Sequence, residues 1–126
     1  MKYGANIKLQ DFLRRQITLT AAGSDTEYIL DKSVPMGKAF IVQRMSIENK
    51  TGPYTSARFG VMKTSSFYPM EEVKNPNGET VYITNEEIIV TEGEEVGVEM
   101  VGVSSGDEIN LIVEGFLVDR ETGELA

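Results

Sequence analysis

Apolar and polar residues alternate along this chain in short runs separated by Gly, Pro and Asn, and no helix-period stripe longer than about two turns follows Gln16. The alternation predicts strands near Ile17–Ala21, Glu27–Asp31, Ala39–Glu48, Ser56–Lys63, Thr80–Thr84, Ile88–Thr91, Glu95–Val101 and Glu108–Val118, eight in all, the content of an all-β sandwich. Between them stand Ala22-Gly23-Ser24-Asp25, Pro35-Met36-Gly37, Lys50-Thr51-Gly52-Pro53, Asn75-Pro76-Asn77-Gly78, Glu92-Gly93-Glu94 and Ser104-Ser105-Gly106-Asp107. Each offers residues that tolerate a chain reversal.

Strand period then assigns faces. In the last strand Ile109, Leu111, Val113 and Leu117 share the core side, and Gly115 leaves room for a close neighbour. The other side carries Asn110, Ile112, Glu114, Phe116 and Val118, so its C-terminal end needs cover, for which the N-terminal segment is the plain candidate. In the third strand Phe40 and Val42 have one parity, Met45 and Ile47 the other; a bulge near Gln43-Arg44 would bring all four inside. Val34–Phe40 and Val90–Val96 echo each other at a spacing of 56, an apolar residue, a Gly turn, a charge and a strand. Two such halves fit Greek keys closing an eight-stranded jelly roll.

Residues 1–16 differ in kind: Lys2, Lys8, Arg14 and Arg15 against Asp11, with Tyr3, Ile7, Leu9, Phe12 and Leu13 interspersed. They read as a basic and apolar arm with a short helix over about Leu9–Gln16, too short to stand alone in water. The sandwich follows over 17–119 and a tail over 120–126.

Composition narrows the chemistry. The 126 residues suit one domain and contain no His, Cys or Trp, which removes imidazole bases, thiolates, disulfides and the usual zinc ligands. No cofactor or metal is expected. No stretch resembles a membrane span or a secretory signal. A net charge of −8 disfavours nucleic acid and anionic lipid as partners. That charge is unevenly placed: residues 1–70 carry 10 basic and 5 acidic side chains, residues 71–126 carry 2 and 15. Either acidic loops gather at one end of one body, or complementary faces of neighbouring copies fix an assembly.

Several motifs invite a chemical reading. Gly102-Val103-Ser104-Ser105-Gly106 has the letters of a nucleophile elbow, but between β-strands and without His it reads as a hairpin loop. Carboxylates at Glu71-Glu72, Glu86-Glu87, Glu92-Glu94-Glu95 and Asp107-Glu108 lack calcium-loop spacing and read as solvated charge. Tyr54, Phe67, Tyr68 and Tyr82 could stack on sugars. Phe67-Tyr68-Pro69-Met70 reads equally as core edge or as an interface loop, and Asn49-Lys50-Thr51 is a glycosylation sequon.

Taken together, Ser33–Val42, Ser46–Gly52, Val90–Val96 and Gly106–Gly115 resemble small jelly-roll proteins of tailed-phage virions. That family writes Val-Pro-x-Gly-Lys, a strand ending in Asn-x-Thr/Ser, a Gly turn and a final strand ending in Gly; the likeness covers about residues 27–119. It implies a non-enzymatic virion component assembled in the host cytoplasm: a capsid decoration protein, or a neck or tail-associated one. Its partners would be itself, with a trimer among the options, and a capsid or neck/tail protein. A receptor- or glycan-binding module is the rival reading. The basic arm lies outside the family pattern. The interface is expected at Tyr3, Ile7, Phe12, Leu13, Arg14, Arg15, Phe67 and Tyr68.

Overall fold

A computed structural model describes residues 12–74, 82–84 and 87–119, the side chains of 82–84 excepted. Among them the regular structure is entirely strand: β1 (Phe12–Thr20), β2 (Thr26–Leu30), β3 (Lys38–Asn49), β4 (Ser56–Lys63), β5 (Ser66–Lys74), β6 (Tyr82–Thr84), β7 (Ile88–Thr91), β8 (Glu95–Val101) and β9 (Glu108–Asp119). They form two antiparallel sheets. One runs β1-β9-β3 with β6 and β7 both on the far side of β3; the other runs β2-β8-β4-β5.

The register of β3 explains this arrangement. Its pairing with β9 shifts between Val42 and Arg44, a bulge at the expected place. Phe40, Val42, Met45 and Ile47 are consequently all buried, although their sequence parity changes midway. β7 lies against Ala39–Val42 and β6 against Met45–Ile47, one on each side of the bulge. Ile109, Leu111 and Val113 of β9 complete the inner face, and Ile29, Phe59, Val61, Val98 and Met100 face them from the second sheet. Burying a side chain of this size contributes about 1.5–3 kcal/mol.

Gly115 leaves no room for a side chain where β9 passes β3: a Cβ there would run into the Ile41 carbonyl. The outer face nearby is covered as the pattern required. The Phe12 ring meets Phe116 edge-on at 5.2 Å, and Ala39, Ile41 and Val118 are buried beside it.

The echo between Val34–Phe40 and Val90–Val96 is a spatial pairing. Gly37 and Gly93 occupy the third position of two similar turns, with φ of 79° and 80°, and Val34 exchanges backbone hydrogen bonds of 3.0 and 2.9 Å with Glu94 and Gly93.

Two expectations are corrected. Phe12–Gln16 is strand, not helix: Leu13, Arg15, Ile17 and Leu19 share the inner side with period two, and β9 supplies backbone partners along all of β1. The sheet therefore begins at Phe12 rather than Ile17, and residues 1–11 and 120–126 lie outside the described residues. Ser66–Lys74, read as a connection, is the edge strand β5. Pro69 and a second bulge disguise its alternation; an edge strand tolerates both because its outer backbone needs no partner.

Candidate functional site

Two carboxylates from the acidic half of the chain sit between strands of the basic half. First-half strands β1 and β3 flank second-half β9, and β2 and β4 flank β8. Each central strand offers a carboxylate to both neighbours. Arg14 donates from Nε and Nη2 to Glu114 Oε2 at 3.0 and 2.7 Å, and Arg44 Nη1 lies 4.0 Å from Glu114 Oε1. In the other sheet Arg58 grips Glu99 Oε1, with Nε at 2.6 Å, and Tyr28 donates its hydroxyl to Glu99 Oε2 at 2.9 Å. That hydrogen bond, partial burial and the Glu99 charge raise the Tyr28 phenol above its ordinary range, while Arg58 opposes them.

Other polar groups tie the two sheets at their edges and fix the connection before β9. Arg15 donates from Nε and Nη2 to Asp31, at 2.8 and 2.7 Å, and its guanidinium lies 5.1 Å over the Phe40 ring. Asp107 accepts from Asn49 Nδ2 at 2.9 Å, Ser104 N at 2.9 Å and Thr51 Oγ1 at 3.1 Å. The Asn49 amide first, then the Ser104 N–H, hold its carboxyl below the usual range against the opposing effect of burial; Thr51 adds to the lowering.

Of the interface residues expected from sequence, Tyr3 and Ile7 lie outside the described residues. Phe12 and Arg14 are on the outer face, against Phe116 and Glu114. Leu13 packs on the core and Arg15 binds Asp31, so these two side chains already have partners within the chain. Phe67 and Tyr68 separate: alternation sends Phe67 to the outer face, where its ring meets Tyr28 at 5.7 Å, and Tyr68 to the open edge.

At that edge lies a cleft of about 360 Å³ lined by Val61, Lys63, Tyr68, Met70, Ile89 and Glu94. Tyr68, Met70 and Ile89 are 54%, 51% and 53% exposed. The bulge in β5 opposes Phe59 and Gly60 to Glu71 and Pro69, leaving Met70 as the extra residue beside Tyr68. Ile89 arrives from β7 in the other sheet.

The remaining motifs take structural places. Gly102–Gly106 connects β8 to β9 and so crosses between sheets, which corrects the hairpin reading. Asn49 is fully buried with its amide nitrogen bonded to Asp107 and Pro53, which leaves the sequon closed. Tyr54 is in the core, so the expected sugar platform does not assemble around it; the Tyr82 side chain and Glu86 lie outside the described residues. Glu94 accepts from Thr91 N and Oγ1, and Glu87 from Gln43. Among the described residues no group of three or more His, Cys, Asp or Glu converges as a metal site, and no helix is long and apolar enough to cross a membrane. Comparison with family models, curated proteins and solved structures finds no match.

Proposed function

We propose that this chain is a non-enzymatic structural protein of a tailed-phage virion, which decorates and stabilises the capsid as a homo-oligomer. The observation that carries the reading is the division of labour among its side chains. Arg14 pairs with Glu114 and Arg58 with Glu99 across neighbouring strands, and Arg15 with Asp31 between the two sheets, while Tyr68, Met70 and Ile89 stand half exposed on one edge. That distribution suits adhesion between bodies better than turnover of a small molecule.

Strand order supports a jelly roll. With β6 and β7 counted as two parts of one strand interrupted opposite the β3 bulge, the sheets read β1-β9-β3-β6/β7 and β2-β8-β4-β5, the order of two interleaved Greek keys. The attachment segment is residues 1–11, upstream of the strand that closes the first sheet.

The direct test adds purified chain to phage shells that lack it. Co-sedimentation that saturates at a fixed ratio to the major shell protein is expected, and its loss on removal of residues 1–11 assigns the arm. Failure to bind shells, necks or tails would overturn the reading.

A further inference from the structure

We propose that the edge formed by β5 and β7 is the contact through which a second copy of this chain docks, side chain against side chain across a two-fold axis. The inference rests on the homo-oligomer reading above and names the surface that reading requires.

Three observations converge on this edge. The first is apolar exposure: of the large hydrophobic side chains described as exposed, Tyr68, Met70 and Ile89 line one cleft, whereas Met36 stands on the turn before β3 and Tyr28 is engaged with Glu99 and Phe67. Apolar groups from two different sheets gathered around one depression make a contiguous patch, not the scattered exposure usual for a soluble surface.

The second is charge. A chain of net charge −8 repels its copies over most of an approach. The cleft wall is locally balanced, with Lys63 Nζ 3.9 Å from Glu94 Oε2. Lys63 is 61% exposed and Glu94 is held in place by Thr91. Across a two-fold axis such a pair is its own complement: each Lys63 meets the partner copy's carboxylate, and the charges alternate around the axis.

The third observation selects the mode of contact. An open strand edge ordinarily recruits another strand through its backbone. Pro69 lacks an N–H, and the bulge beside it breaks the spacing of the outer hydrogen-bonding groups. Strand addition is thereby blocked while the side chains remain presented, so the occupant is a folded body carrying the same patch.

The test measures the mass of the full-length protein by light scattering and sedimentation across a concentration series. Wild type is expected to associate reversibly. Ile89→Lys and Met70→Glu, both at exposed positions, are expected to raise the dissociation constant about tenfold or more, with a melting temperature unchanged at dilutions where wild type is dissociated. Lys63→Glu is expected to weaken association in a way that added salt partly restores, which salt does not do for Ile89→Lys. Met36→Lys, a control at an exposed turn residue that does not line the cleft, leaves the mass unchanged. If wild type associates and the Ile89 and Met70 variants associate equally well, this placement fails while the homo-oligomer reading stands. If wild type is a monomer at every concentration, both fail.

Discussion

Arg15 of β1 and Asp31, the residue after β2, form a two-pronged ion pair that ties the edge of one sheet to the edge of the other. The Asp31 side chain is 1% exposed and Arg15 29%. A carboxylate so buried depends on its cation, and losing one partner of a buried pair costs more than replacing both by apolar groups. Arg15→Ala is expected to lower unfolding stability by about 3 kcal/mol, measured by urea denaturation. Arg15→Met with Asp31→Leu is expected to recover most of that loss.

The same pair sets the boundary of the attachment segment. Deleting residues 1–11 is expected to leave the melting temperature close to that of wild type and to abolish addition to shells. Deleting residues 1–15 removes Leu13 from the core and Arg15 from Asp31, and is expected to lower the melting temperature by many degrees. Equal stability of the two truncations would contradict the role given to the start of β1.

Close approach of strands makes its own prediction. A Cβ on Gly115 meets the Ile41 carbonyl, and the neighbouring backbone is held by the pairing of β3 with β9. Gly115→Ala is expected to cost about 1–3 kcal/mol, the range for overpacking, whereas Gly93→Ala, in open space but at positive φ, costs about 1 kcal/mol. Differential scanning calorimetry orders the two.

Acid should act on Asp107. Its folded carboxyl sits below the ordinary carboxylate range, so its contribution is present above the unfolded value and is lost as pH falls through the folded one. Stability measured from neutral pH down to about pH 2 is expected to fall less steeply in Asp107→Asn than in wild type, from a lower starting point. Tyr28 has the opposite sign: its raised phenol contributes below the unfolded value and loses that contribution as pH rises through the folded one. In an ultraviolet titration the Tyr28 phenol is expected to ionise late, and earlier in Glu99→Gln.

Much of this architecture was legible in the sequence because period-two burial is a strong signal wherever a strand has one wet face. The bulge at Gln43-Arg44 followed from the parity change between Val42 and Met45, and the structure has it there. β5 escaped notice for a physical reason: an edge strand carrying Pro69 and an extra Met70 needs neither alternation nor a full set of hydrogen bonds. Phe12–Gln16 escaped because a short segment takes its conformation from what it pairs with, and the partner strand lies 96 to 104 residues further on.

The edge cleft was half legible. Tyr68 stood out as apolar and unplaced, but its partner Ile89 comes from the other sheet, a juxtaposition that only closure of the sandwich creates. Likewise the imbalance of charge between the two halves was visible as a sum. Its use, in carboxylates shared across three strands, depended on a strand order that pattern alone did not specify.

Adhesion is the task proposed for this fold, and the copy number of the chain in purified virions tests it most directly. Quantitative mass spectrometry against the major shell protein is expected to give a fixed, symmetry-related stoichiometry, hundreds of copies per particle for a decoration role. Virions without the chain, or with a variable trace unrelated to shell symmetry, would contradict the claim.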